Sequence, residues 1–209
     1  SWTGRIEDVG VGTPLVLGVD SDHANLLVAT SGGREVDRFA KQLLVPGSER
    51  RLLGLGRDRY RPGTGPRLLR LADLRLHPLI CYEDLFARAS AGARTADLVV
   101  AASHDGWNPA AAWAHLAAAR LVAVESGRWV VRPTTSGISA AIDPRGRLAW
   151  STTAIDRDAH PEVGAITGVV TVGLPTRSGR GRPGLPRLPV GWLAGAALAL
   201  SFARRPAAG

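Results

Sequence analysis

Methionine is absent from the 209 residues, cysteine occurs once and lysine once. Without methionine, Ser1 is not an initiator, and Ser1-Trp2-Thr3-Gly4 lacks the charged-then-apolar layout of a signal peptide. The chain is therefore expected to be a piece of something longer. A single cysteine, Cys81, excludes any disulfide within the chain. Aromatic residues amount to only 5% and do not interleave with the basic ones, which are spread along the chain. The net charge of +8 thus lacks the pattern of a nucleic-acid surface, and no nucleic-acid partner is expected. One local basic cluster stands at residues 177–187. Long apolar runs are scarce too: the charge-free stretch at 188–203 is 16 residues, closed by Arg204 and Arg205.

What remains is ordinary for a globular fold, with 45% hydrophobic and 21% charged residues. Of the 26 basic residues, 25 are arginine. In a composition so biased, a surviving lysine is a candidate for a role that needs a compact ammonium, which a guanidinium cannot supply. That residue is Lys41.

Cys81 lies in His77-Pro78-Leu79-Ile80-Cys81-Tyr82-Glu83-Asp84. Leu79 and Ile80 read as the end of a buried strand. Residues 83–93 read as a helix with its acidic residues in the first turn. The cysteine then sits at a strand-to-helix corner beside free backbone N–H groups, where a thiol pKa falls and the nucleophilic thiolate is presented.

Further strands are expected at 13–19, 24–30, 68–76, 77–81, 96–103, 128–132, 137–142, 147–151 and 164–172. The stretch 38–46 leads into a long Gly-, Arg- and Pro-rich loop that ends near Pro66, and loops of that kind are commonly functional. The strongest helix is 110–126, with Leu116, Leu121 and Val124 as its apolar stripe and Gly127 just past its end. Alternating strands and helices imply an α/β domain. Residues 1–175 form that domain and 176–187 a linker. Residues 188–203 form a transmembrane helix with Trp192 near one end and the arginine pair on the cytoplasmic side, leaving 204–209 as a tail.

Several separated motifs together resemble one family. They are Lys41-Gln-Leu-Leu-Val-Pro46 with Glu49 eight residues after the lysine, Ile80-Cys-Tyr-Glu83, Ser103-His-Asp-Gly-Trp107, His115, Glu125-Ser-Gly-Arg128 and Thr135-Ser-Gly-Ile-Ser139. Their order and spacing are similar to the apolipoprotein N-acyltransferases, the membrane-embedded branch of the nitrilase (carbon–nitrogen hydrolase) superfamily.

The resemblance implies a nitrilase-like α-β-β-α sandwich on the extracytoplasmic face of the cell membrane, followed by one C-terminal transmembrane helix. It implies a Glu-Lys-Cys triad, with neither metal nor cofactor. Cys81 would take an acyl chain from a phospholipid as a thioester and pass it to the N-terminal amine of a diacylglyceryl-cysteine lipoprotein. Lys41 would stabilise the oxyanion. Glu49 and Glu83 would support the lysine or the base, Tyr82 would line the acyl pocket, and Trp107 would pack or face lipid. His115 is expected to be structural, and Asp105 to hold its loop.

The triad's glutamate belongs in a Pro-Glu-Thr-like motif upstream of 13–19, and nothing here matches it, so the chain alone is expected to be inactive. Gly47-Ser48, His104, Ala117 and Val122 also depart from the family pattern. Two other readings stay open: a soluble nitrilase or amidase of the same superfamily, and a catalytically inactive paralogue acting as a membrane binding module.

Overall fold

The computed structural model describes residues 14–105, 109–135 and 137–152. Its first sheet is an antiparallel meander of β1 (Leu15–Asp20), β2 (Asn25–Ser31) and β3 (Arg34–Ala40). Ser21 closes the first turn, its backbone N–H and its hydroxyl both donating to the Ala24 carbonyl at 3.0 and 2.8 Å. In the central strand Leu26, Leu27, Val28, Ala29 and Thr30 are all buried. β3 is an edge strand that the sequence reading leaves out. Its hydrophobic signal is weak because Arg34, Glu35 and Val36 face solvent, and Phe39 is its one buried large side chain.

The second sheet has six strands in chain order: β4 (Leu69–Leu71), β5 (Leu74–Ile80), β6 (Leu98–Ala102), β7 (Val130–Arg132), β8 (Ala140–Ile142) and β9 (Leu148–Ser151). β5, β6 and β7 are parallel, and the flanking pairs are antiparallel. The single strand expected at 68–76 is in fact a hairpin that reverses at Ala72-Asp73, with Ala72 in the left-handed region at φ 50°. Neither residue is Gly or Pro, so the turn carries no strong local signal.

The single helix expected at 83–93 is also corrected. The chain makes a 3-10 turn at Cys81–Leu85, an α1 of one turn at Ala87–Ser90 and another 3-10 turn at Ala93–Thr95. Phe86 interrupts them in an extended conformation, φ −118° and ψ 120°. The long helix α2 (Pro109–Ser126) forms where expected. It ends at Gly127, which adopts φ 66° and donates its N–H to the Ala123 carbonyl at 2.9 Å.

Side-chain alternation along the six-stranded sheet builds two cores. Leu79, Val99, Ala101, Val130, Ala140 and Ile142 face α1 and α2 and meet Ala112, Leu116, Ala119, Val122 and Ala123. Leu76, Ile80 and Val100 face the meander and meet Leu27, Ala29 and Phe39. The described residues are thus layered helix, sheet, sheet, which is three layers of the sandwich expected. Alanines make most of the buried face of α2, whereas Leu121, expected in the apolar stripe, is 40% exposed. Among the described residues no helix is long and apolar enough to cross a membrane. The strand expected at 164–172, the linker at 176–187 and the helix at 188–203 lie outside the described residues.

Leu79 has no exposure and sits in the helix-facing core. Leu79→Ala should lower the unfolding free energy by about 2–5 kcal/mol in equilibrium urea titration. Leu121→Ala should change it by no more than about 0.5 kcal/mol, which checks which face of α2 is buried.

Candidate active site

β5 delivers Cys81 to its corner, and the backbone there turns through φ 52°, a left-handed conformation that a non-glycine residue seldom adopts. Backbone strain of this kind persists where surrounding contacts hold it. The contact that holds it is two residues on. Glu83 has no solvent exposure, and its Oε2 accepts the Ile80 N–H at 2.9 Å across the corner. Its Oε1 accepts the Gln42 and Leu43 N–H groups at 2.8 and 3.0 Å. Arg67 completes the shell as a fork, Nη2 to Oε1 at 2.9 Å and Nη1 to Oε2 at 2.9 Å. The same guanidinium donates to the Gln42 side-chain carbonyl at 3.1 Å. Glu83 therefore ties the segment after β3 to the segment after β5.

That tie carries Lys41 toward Cys81. Lys41 is 1% exposed, and its Nζ lies 2.8 and 2.7 Å from the two carboxylate oxygens of Glu49. Glu49 is itself fixed by the Val45 N–H at 2.7 Å and by the Asn25 amide at 3.4 Å. The Lys41 backbone is clamped as well, its N–H donating to Asn25 at 2.9 Å and its carbonyl accepting from Gly63 at 2.8 Å. A Cβ on Gly63 would stand 2.2 Å from the Ala40 carbonyl oxygen, so only glycine allows this approach. The long loop thus folds back over the lysine.

His115 comes from the middle of α2. It is 1% exposed, and its Nδ1 lies 2.6 Å from Asp84 Oδ1. Its imidazole lies close enough to the Cys81 thiol to lower that group's pKa. Behind Asp84, Arg132 at the end of β7 pairs with Asp105, which also accepts the Ser103 hydroxyl. Asp105 therefore holds its loop, as expected.

Burial alone would raise the Cys81 thiol pKa. The His115 hydrogen bond, the Lys41 charge and the His115 charge outweigh it, and the pKa falls below the usual thiol range. Burial alone would lower His115, but the Asp84 carboxylate and the hydrogen bonds to Asp84 and Cys81 raise it to about 10. Burial raises Asp84, against the pull of His115 and Arg132.

Of the residues expected at the site, Lys41 pairs with Glu49, and Glu83 bonds the segment that follows Lys41 to Ile80, next to Cys81. Tyr82 stacks edge-on against Phe86 with centroids 4.6 Å apart, and burial raises its phenol pKa. Trp107 lies outside the described residues. Arg67 and the His115–Asp84 pair were not picked out from the sequence. Arg67 was one arginine among 25, whereas His115 stood inside a quoted motif. Among the described residues, no group of three or more His, Cys, Asp or Glu is placed to hold a metal ion.

The carbon–nitrogen hydrolase family model matches residues 21–157. The chain belongs to that family. The apolipoprotein N-acyltransferase of Azotobacter vinelandii is 39% identical over 84 residues, which are 39% of this chain and 16% of that protein. The one from Sinorhizobium medicae is 42% identical over 77 residues, 35% of this chain and 14% of that protein. The match with such relatives thus spans about one sixth of their length. Among solved structures, the NitFhit protein of C. elegans superposes with a TM-score of 0.53 at 20% identity, covering 63% of this chain and 36% of that one. A carbon–nitrogen hydrolase superfamily protein of Xanthomonas campestris gives 0.50 at 19% identity, covering 66% and 57%. At these identities the two structures speak for the nitrilase-like α/β fold.

Removing Glu83 leaves the Arg67 charge and three backbone N–H groups without their acceptor. Glu83→Ala should therefore cost roughly 3–5 kcal/mol of stability, read from urea unfolding.

Proposed function

We propose that this chain carries the thiol centre of an apolipoprotein N-acyltransferase at the extracytoplasmic face of the cell membrane. The observation that supports it is a strained cysteine of lowered pKa, within reach of the field of a buried ammonium. The family and the named relatives give the reaction class.

In the first half-reaction the Cys81 thiolate adds to the ester carbonyl carbon of a phospholipid, and the carbonyl π pair moves onto oxygen. Lys41, held by Glu49, stabilises that oxyanion. The pair returns, the carbon–oxygen ester bond breaks, and the lysophospholipid alkoxide leaves with the proton that the thiol gave up to the general base, the glutamate that the resemblance places upstream of residues 13–19. The acyl chain remains on Cys81 as a thioester. In the second half the N-terminal amine of a diacylglyceryl-cysteine lipoprotein adds to the thioester and gives up its proton. The carbon–sulfur bond then breaks, and thiolate is regenerated beside an amide. Glu83 and Arg67 act as positioning residues, Tyr82 borders the acyl chain, and Trp107 would pack or meet lipid. The membrane helix at 188–203 would hold the domain against the bilayer that contains both substrates.

Membranes containing the full-length protein, incubated with phospholipid labelled in its acyl chain, should yield a hydroxylamine-sensitive adduct on Cys81 that Cys81→Ala abolishes. Absence of the adduct in the parent would overturn the reading. Lys41→Met should slow adduct formation by about 10²–10³-fold, the usual loss when one oxyanion donor is removed.

A further inference from the structure

The loop that folds back over Lys41 carries a tip that neither the cores nor the catalytic geometry explains. Of the five large hydrophobic side chains exposed among the described residues, three stand within four positions: Leu52, Leu53 and Leu55, at 46, 93 and 74%. Single exposed leucines are ordinary, whereas a cluster of them marks a contact surface. The tip is a built structure. Leu52 and Leu55 exchange both backbone hydrogen bonds at 2.9 Å, and Leu53 and Gly54 turn between them at φ 51° and 80°. Leu53 thus occupies a hairpin position that Asn or Gly would take with less strain. Below it the Arg51 N–H donates to Asp58 Oδ1 at 2.9 Å. A Cβ on Gly56 would stand 2.7 Å from the Gly47 carbonyl oxygen, so the neck of the loop is closed tightly.

Positive charge surrounds this tip. Residues 50–61 hold five exposed arginines, Arg50, Arg51, Arg57, Arg59 and Arg61, against one acid, Asp58. Arg59 also pairs with Asp20 at 2.7 Å. An apolar end with guanidinium groups behind it matches the order of layers at a bilayer surface, hydrocarbon beneath phosphate. A nucleic acid would meet the arginines but leave the leucines in water. We propose that residues 50–61 are a wedge that enters a bilayer containing anionic phospholipid, with Leu52, Leu53 and Leu55 among the acyl chains and the arginines at the phosphates.

The wedge is joined to the site through its backbone. The Glu49 carbonyl accepts the Arg59 and Tyr60 N–H groups at 3.0 and 3.2 Å, and Glu49 is the carboxylate that holds Lys41. Tyr60 is buried and donates its hydroxyl to Asp20 Oδ1 at 2.6 Å, while the Arg61 N–H donates to the His23 carbonyl at 2.8 Å. The returning half of the loop is thereby fixed to the first sheet. Arg50 stands close enough to Tyr82, the neighbour of Cys81, to act on its phenol. Seated leucines therefore bring the lipid surface to the mouth of the site. The wedge deepens the acyltransferase reading by naming the surface that supplies the ester, and it rests on that reading for this consequence alone. Entry into lipid needs no chemistry at Cys81.

Because Cys81 is the only cysteine, a thiol-reactive fluorophore can be placed at one chosen position of the full chain in a Cys81→Ala background. Leu53→Cys labels the tip. Arg145→Cys labels the turn between β8 and β9, at the sheet edge opposite the ends of β5, β6 and β7. Both residues are exposed, so neither replacement touches a core. The chain is reconstituted with vesicles of phosphatidylcholine alone, or of phosphatidylcholine and phosphatidylglycerol in equal parts. In the mixed vesicles the label at 53 should be quenched by nitroxide lipids and shielded from aqueous acrylamide, and the label at 145 should behave the opposite way. Arg50→Gln, Arg51→Gln and Arg57→Gln together should lower the ratio of inserted to free tip, about fivefold for each arginine. A label at 53 open to acrylamide and untouched by the lipid quencher would overturn the wedge. A label there shielded from both quenchers would overturn it too, because protein, either a second copy or residues 188–203, then covers the tip. Equal insertion in both kinds of vesicle, or in the arginine variant, would overturn the anionic surface. A tip in lipid with no acyl thioester on the parent's Cys81 would leave this inference standing and remove the acyltransferase reading instead.

Discussion

Glu83 is fully buried, and four N–H groups from three separate segments donate to it, Ile80, Gln42, Leu43 and Arg67 Nη2, with Arg67 Nη1 ion-paired to its second oxygen. A buried carboxylate so surrounded cannot be moved without exposing several unpaired groups at once. The nucleophile and the ammonium belong to segments 40 residues apart, on two different sheets. Hydrophobic packing between those sheets fixes their separation only to the tolerance of sliding aliphatic side chains. The directional hydrogen bonds of Glu83 remove the remaining freedom, and they explain why Cys81 is held at a positive φ. The 3-10 geometry at Cys81–Leu85 follows from the same demand, since the carboxylate is drawn back to Ile80 where an ordinary helix would project it outward.

Around the sulfur, each charge in the interior has its opposite. Lys41 has Glu49, Arg67 has Glu83, His115 has Asp84 and Arg132 has Asp105. Such pairs contribute little net stability, because the desolvation of both partners offsets their attraction. Their value lies in the dipoles they fix. Two cations act on Cys81, Lys41 and His115, and both lower its pKa. Glu49 limits how far Lys41 can reach, so the ammonium is aimed before any substrate arrives, which is the condition for electrostatic preorganisation.

Composition made half of this visible. In a chain with one lysine and one cysteine, each invites a specific role, and both meet at the site. Arg67 could not be found the same way, because its importance lies only in where its fork points. His115 was quoted from the sequence as structural, and its pairing with Asp84 arises from the docking of α2 on the sheet, a tertiary fact. The strands built on short apolar runs, β1, β2 and β6, were read within a residue or two of their ends. β3 was passed over since three of its first four residues carry charge and its side chains mostly face water. Of the stripe read on α2, Leu116 is buried as expected but Leu121 is exposed; leucines were counted and alanines were not. Close approach to the sheet needs small residues, and Ala111, Ala112, Ala119 and Ala123 provide it.

The layout of the second sheet explains why these groups meet at all. In a parallel sheet every strand ends at the same edge, and the chain leaves that edge through loops that hold whatever chemistry the fold carries. Cys81 follows β5, Ser103 and Asp105 follow β6, and Arg132 ends β7, the three strands that run parallel. α2, which links β6 to β7, crosses back over the helix-facing core and brings His115 above that same edge. Antiparallel β4 and β8 border the trio and contribute none of these charged groups. Lys41 alone comes from elsewhere, the end of the meander, which is why a separate device, Glu83 with Arg67, is required to bring it in. The site is assembled by one sheet edge plus one imported ammonium, and the import depends on the single carboxylate that joins them.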